Sequence, residues 1–246
     1  MKKIISLSVT FLLTAAIFAQ KPVIDAESAK NSYGTEILIS PTDSSVQISK
    51  GKIIISPKKE GETYTISGYF KGQIVNKTKN TVLKLKNAFI ENNSGDAAIF
   101  CEAKTEISTT KDTENYVLSS GKARPDLKPA AIQGKKDLVL GGSGTLYAKG
   151  EVYHAVKADD VKIKGSGNHY LEGTKKGSSL NCKSLTVEKD KTFSAYFLNS
   201  KNAVKADESI LLQSGNFYLY GTENGFKCDD EKAVKITKDA KVLKES

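Results

Sequence analysis

Three lysines, four carboxylates and five tyrosines stand at spacings that a repeating chain would turn into neighbours. Lys157, Lys205 and Lys227 each follow an apolar residue at the same point of a repeat, and Asn181 completes the series. Just beyond two of them come the pairs Asp207-Glu208 and Asp229-Asp230. A row of lysines can hold the anionic groups of a polymer. Four carboxylates brought to one corner repel unless a cation neutralises them, and calcium, which takes about six to eight oxygens, is the expected counter-ion outside a cell. Tyr147, Tyr170, Tyr196, Tyr218 and Tyr220 form the main outward aromatic surface of a chain without tryptophan. Aromatic faces stack on the C–H faces of sugar rings. Each set also has a plainer reading. Aromatic neighbours stabilise a sheet by about 0.2–1 kcal/mol each, exposed Lys–Asp pairs are worth about 0–1 kcal/mol, and lysines can balance acids in a solvated turn.

The spacing comes from a repeat anchored on Ile132, Val156, Leu180, Val204 and Phe226, at intervals of 24, 24, 24 and 22 residues. Ala155-Val-Lys-Ala-Asp-Asp160 returns as Ala203-Val-Lys-Ala-Asp-Glu208 and, more weakly, as Gly225-Phe-Lys-Cys-Asp-Asp230. A period of this size means stacked supersecondary units. Short alternating apolar stretches are separated by Gly, Asn, Asp or Ser, which is a strand period with turns, and no segment shows a helical period. Three strands fit each repeat. The first holds the anchor. The second reads Leu138/Leu140, Val161/Ile163, Leu185/Val187 and Ile210/Leu212, and the third Leu146/Ala148, His169/Leu171, Phe193/Ala195 and Phe217/Leu219. The expected fold is all-β, a right-handed parallel β-helix with three strands per coil. On this alignment the third strand shows Tyr147, Tyr170, Ser194 and Tyr218 in one outward column. Lys149, Glu172, Tyr196 and Tyr220 form the next.

Two residues past the anchors stand Cys101 (after Ile99), Gly134, Ala158, Cys182, Ala206 and Cys228, all small, so the three cysteines share one interior column. Strands lie about 4.8 Å apart. Cys182 and Cys228, two coils apart, are then roughly 10 Å from each other, beyond the ~7 Å reach of a disulfide. Free, buried thiols are expected. His169 falls at a core position and His154 in a turn, without the further ligands a zinc site needs.

Lys2-Lys3, an apolar stretch over 4–18 and a cleavage point near Ala19 predict an export leader over 1–19, too short and too early for a membrane span. The net charge of +9 becomes +7 when those two lysines leave. Lysines spread along the whole chain exclude a dedicated nucleic-acid arm. They make a basic surface that draws in anionic polymers, or they serve to keep strand edges apart. N-terminal strands or a cap are expected over 20–60, with strands at 36–40 and 52–56. The β-helix is expected over 61–236 and a Lys-rich tail over 237–246. An insertion over 109–129, with a turn at Arg124-Pro125-Asp126, stretches the interval from Ile99 to Ile132 to 33 residues.

Gly61-Glu-Thr-Tyr-Thr-Ile-Ser-Gly68, Gly72-Gln-Ile-Val75, Val82-Leu-Lys-Leu-Lys-Asn-Ala-Phe-Ile90, Asp96-Ala-Ala-Ile99 and Thr113-Glu-Asn-Tyr-Val-Leu118 follow one another, and then come Ala131-Ile132 and the run 137–146. In that order, over 61–236, they resemble the β-helical carbohydrate-binding family first described from cellulose-degrading clostridia. The resemblance implies an exported β-helix shaped like the pectate lyases, with calcium sites. It also implies binding of cellulose or acidic plant polysaccharide without established catalysis. Tyr153-His154 and Lys201-Asn202 depart from it, standing where many relatives carry Asp or Gly-rich pairs.

The expected function is an exported polysaccharide binder, periplasmic, surface-held or secreted. Its glycan would lie on the five tyrosines and three lysines, with calcium on Asp207, Glu208, Asp229 and Asp230. One alternative is a surface structural protein or adhesin. Another is a calcium-dependent lyase with Lys205 as the base that removes the proton beside a carboxylate. A glycoside hydrolase would need two carboxylates facing each other across the bond, whereas these acids line one edge.

Overall fold

The computed structural model describes residues 21–122, 127–189 and 192–245. The leader expected over 1–19 and the Arg124-Pro125-Asp126 turn lie outside the described residues. The alternating apolar residues wind into a β-solenoid of about eight turns with a repeat of about 24 residues. Its anchors stack strand beside parallel strand, from Ile53 and Ile74 through Ile99, Ile132, Val156, Leu180 and Val204 to Phe226. A second ladder sets Leu138 beside Val161, then Leu185, then Ile210, as the repeat predicts. Along each strand alternate residues point inward, and the Ile, Leu, Val and Phe among them are almost fully buried. Each such side chain stabilises the fold by about 1.5–3 kcal/mol. Cys101, Cys182 and Cys228 are free and buried. Cys182 and Cys228 are both strand neighbours of Ala206, which keeps them apart as expected.

The third ladder differs from its expected register. His169 lies beside Ala195 rather than Phe193, and Tyr170 beside Tyr196 rather than Ser194. The reason is a compensated change in turn length. Six residues lead from Ile163 to His169 but eight from Val187 to Ala195, while nine lead from Leu171 to Leu180 and seven from Phe197 to Val204. The strand slides by two and the 24-residue period is unchanged. The insertion is also narrower than expected. Glu114–Ser119 is a regular strand of the third ladder, so the extra chain is concentrated in 120–129.

Antiparallel pairs close the N-terminal end: Ile37–Ser40 lies on Thr63–Lys71 and Val46–Ser49 on Lys52–Ile55. Before them a short helix, Ala26–Lys30, and a 3-10 turn, Asn31–Tyr33, run across the outside of the third ladder. Asp25 caps the helix by accepting from the Ser28 amide at 3.2 Å. Four contacts fasten this strap. Lys21 donates to Asn199, Ile24 is buried in a cluster with Leu198 and Tyr220, Lys30 pairs with Glu91 at 2.7 Å, and Tyr33 packs 5.4 Å from Phe89. At the other end Ala240–Lys244, inside the expected tail, is a strand beside Gly215–Tyr220.

Candidate functional site

Between the buried anchors the first ladder turns a column of side chains outward. Gln133 stands beside Lys157, then Asn181, Lys205 and Lys227, each one strand from the last. The strand spacing of about 4.8 Å sets their pitch. Lys176 and Lys201, from the turns on one side, and Lys128, from the end of the 120–129 loop, close in around the column. The resulting groove of about 480 Å³ carries six lysines against a single carboxylate, Asp207. Lys205 pairs with that carboxylate at 3.4 Å. Lys157 donates to the Lys128 carbonyl at 3.5 Å. Burial, and then the charge on Lys128, lowers the pKa of Lys157. His154 also borders the groove, at the start of the strand His154–Lys157 rather than in a turn. It is buried, its Nδ1 accepts from the Ser178 amide at 3.0 Å, and burial together with Lys157 pushes its pKa down to about 3. The imidazole is therefore neutral near pH 7, and the positive charge belongs to the lysines.

A second chamber of about 660 Å³ adjoins the first and shares Lys128 and Lys157 with it. Its other walls include Gln73, Asp96, Phe100, Gln133 and Lys135. Phe100 is half-buried between Val75 and Gln133. These residues were not among the sequence candidates, although the signal was present. Phe100 and Gln133 come one residue after the anchors Ile99 and Ile132, as Lys157 follows Val156.

Tyr196 joins the column of Tyr147, Tyr170 and Tyr218 instead of the neighbouring one. Phe89, Tyr116, Tyr147, Tyr170, Tyr196 and Tyr218 stack in order with ring centroids 5.3, 4.5, 4.8, 4.3 and 4.7 Å apart and interplanar angles of 5–22°. Tyr220 falls in the adjacent column beside Leu198 and is 4% exposed, packed in the cluster that holds Ile24 of the strap. Burial pushes Tyr116 and Tyr170 up to about 12. Stacked at these distances, the rings present their faces to one another, and a sugar approaching from solvent meets ring edges.

The acids form a looser corner than their spacing predicts. A bulge sets Lys183 against Asp207-Glu208, since Cys182 pairs with Ala206 but Ser184 with Ser209. In the last coil the corner is longer still, with eight residues from Phe226 to Val234 where six separate Val204 from Ile210. A 3-10 turn, Glu231–Ala233, occupies the extra length, and the exposed Asp230 accepts from the Lys232 amide at 3.0 Å. Ser184 donates to Glu208 at 3.4 Å. Among the described residues no three Asp, Glu, His or Cys side chains converge as a metal site requires. Lys183 pairs with Asp159 at 3.5 Å.

Stacked coils with a basic groove along one ladder define the class, a β-solenoid with a charged groove on its side. The profile of the carbohydrate-binding domain-containing proteins matches residues 49–181, more than half of the sequence, and the chain belongs to that family. The matched stretch contains the Phe100 chamber and the lysine column as far as Asn181. In fold the chain is similar to a solved structure titled the polysaccharide lyase-like protein from C. thermocellum, a gadolinium derivative. The two agree with a TM-score of 0.58 and 19% identity, over 82% of this chain and 94% of that one. No curated protein matches the sequence. Among the described residues no helix is long and apolar enough to cross a membrane.

Proposed function

We propose that the protein is an exported, right-handed solenoid that holds an acidic, uronate-type polysaccharide in the lysine groove. One observation carries the reading: six lysines converge on a groove with one carboxylate, in a chain whose family binds carbohydrate. Cellulose offers these ammonium groups no counter-charge and ranks second as the ligand. Calcium, expected from the paired acids, would need carboxylates that here bond to Lys205, to Ser184 and to the Lys232 amide. The lysines supply the counter-charge in its place, so retention is proposed to survive chelation.

The test is affinity electrophoresis through gels containing polygalacturonate, with cellulose pull-down beside it. Lys157→Ala combined with Lys205→Ala should reduce polygalacturonate retention at least tenfold, and added salt should weaken the wild type, as screened charges require. Retention unaltered in the double variant would overturn the reading. Retention abolished by chelation would return calcium to it. A lyase reading has one observation in its favour. Its base would be Lys157 rather than Lys205, because burial and Lys128 make the neutral amine easier to reach. Unsaturated product absorbing in the ultraviolet would establish that activity.

A further inference from the structure

The lysine groove does not end at Lys157. It opens into the chamber with which it shares Lys128 and Lys157, and that chamber shares Gln73 and Asp96 with a third hollow of about 460 Å³ on the first coils. One wall of the third hollow is the bend after Asn92. It is held by that side chain, which donates to the Ala97 carbonyl at 2.9 Å and accepts from the Ser94 amide at 3.2 Å. The three hollows follow the first ladder from Lys52, beside Gln73, to Lys227, beside Lys205. Seven strand pairings separate those ends, a distance of roughly 34 Å.

The charge continues along it. The two N-terminal hollows carry Lys50, Lys52, Lys71, Lys128, Lys135 and Lys157 against one carboxylate, Asp96. That is the same balance as in the lysine groove. Glu91, the strand neighbour of Lys71, is already paired with Lys30 at 2.7 Å. In the middle hollow the half-buried Phe100 has the exposed Lys135 ammonium 5.4 Å from its ring centroid. Such a contact is worth about 0.5–1 kcal/mol, and a ligand can replace it. A ring beside an ammonium suits a uronate residue, because the ring takes the C–H face of the sugar and the ammonium its carboxylate.

We propose that the acidic polysaccharide runs on from the lysine groove, across Phe100 and Lys135, to a distal cation cluster of Lys50, Lys52 and Lys71. All the added residues fall within 49–181, the stretch that the family profile matches. This rests on the reading that the lysine groove holds an acidic glycan, and it sets the length of chain recognised. With about one sugar residue per strand step, the lysine column takes about four residues and the whole trough about eight.

The test is calorimetric titration with galacturonate oligomers of about four and about ten residues, which span the column alone and the whole trough. Wild type, Lys52→Ala/Lys71→Ala, Phe100→Ala and Lys157→Ala/Lys205→Ala are compared, with melting curves to confirm folding. The wild type should bind the longer oligomer more tightly. Lys52→Ala/Lys71→Ala should lose about tenfold on the longer oligomer, the scale of two exposed charge contacts, and nothing on the shorter. Phe100→Ala should lose about tenfold on the longer, the scale of one aromatic contact. A longer chain also gains by sliding between registers on a single site, but both variants would keep that gain. If either variant keeps the full affinity of the wild type for the longer oligomer, the extended path is refuted while the lysine reading stands. If the shorter oligomer is lost in Lys52→Ala/Lys71→Ala and kept in Lys157→Ala/Lys205→Ala, the ligand sits on the N-terminal coils alone and the lysine reading falls with the continuous path. A wild type that binds neither oligomer overturns both.

Discussion

His169 is fully buried in the core, and neither of its ring nitrogens has a hydrogen-bond partner. Its strand neighbours are Leu146 and Ala195. Burial alone pushes its pKa from 6.5 down to about 4, so the folded protein holds a neutral imidazole with unsatisfied polar atoms. Each such atom costs about 1–3 kcal/mol. Because the folded pKa is depressed, the unfolded chain binds more protons between those two values. This contribution to stability is therefore fully present above about pH 6.5 and is lost as the pH falls toward 4. Between about pH 7.5 and about pH 5 the loss is about 2 kcal/mol, and it approaches about 3 kcal/mol below pH 4. Replacing His169 by Leu, a side chain of similar size that Leu146 shows the column accepts, removes both penalties. His169→Leu should be more stable than the wild type by about 2–6 kcal/mol at about pH 7.5, and by about 2 kcal/mol more at about pH 5. Urea unfolding of both proteins at the two pH values measures it. His154 and every other titrating group are common to both proteins, so they cancel in the difference. A stability difference that does not change with pH, or a less stable Leu variant, would refute the reasoning.

Tyr170→Ala breaks stacks of 4.8 and 4.3 Å and should cost about 1–3 kcal/mol from the two stacking contacts, with glycan retention by the folded protein intact. Lost retention at unchanged melting temperature would instead put the tyrosine edges in the binding surface. Gly165 sits at φ +94°, where an added Cβ would collide with the Gly142 carbonyl oxygen. Gly165→Ala should therefore lower stability by about 3 kcal/mol or more, read as a large drop in melting temperature. Ile24→Asp places a charge in the cluster that fastens the N-terminal strap and should release residues 21–33 to limited proteolysis while the solenoid resists. Equal protease resistance in the variant would show that the remaining contacts hold the strap without Ile24.

The first two ladders could be read from sequence because their columns tolerate little else. An anchor must be aliphatic or aromatic, and from Cys101 onward the position two residues on holds only small side chains, although Ile55 and Asn76 fill it in the first coils. The third ladder could not, since closing a coil fixes the total length of its turns and leaves their division free. Two residues moved from the turn before Val204 to the turn after Val187 change nothing in the period, yet they unite tyrosines that the period had split between columns. The acidic corner failed for a related reason, as a bulge and a 3-10 turn absorb residues there that spacing counts as aligned. The strap had no period to find. Its buried side chain, Ile24, and its packed ring, Tyr33, are single residues that acquire meaning from the surface they cover. Lys128 joins the groove from the end of a loop, which no repeat could have placed.

The two outward arrays differ in what their own neighbours supply. In a parallel solenoid every residue of a column has a neighbour from the next coil about 4.8 Å away. For tyrosine that proximity is favourable: each ring stacks on the next, and the ladder accounts for its own presence without a ligand. For lysine it is unfavourable. Lys205 and Lys227 lie on adjacent strands, and like charges on neighbouring side chains repel one another. Lys128, Lys157, Lys176 and Lys201 add to the field around them, with Asp207 alone in opposition. At Lys157 burial, and then the charge on Lys128, lowers the pKa. Under the proposed function a partner relieves this crowding, and that partner would be anionic. It must also be long, because the charges run along the solenoid axis in steps close to the rise of a sugar residue in an extended glycan. A small anion would satisfy one step of the column and leave the rest repelling. An acidic polysaccharide laid along the axis, as proposed, would neutralise them in series, with the lysines as the binding face and the stacked tyrosines as part of the wall.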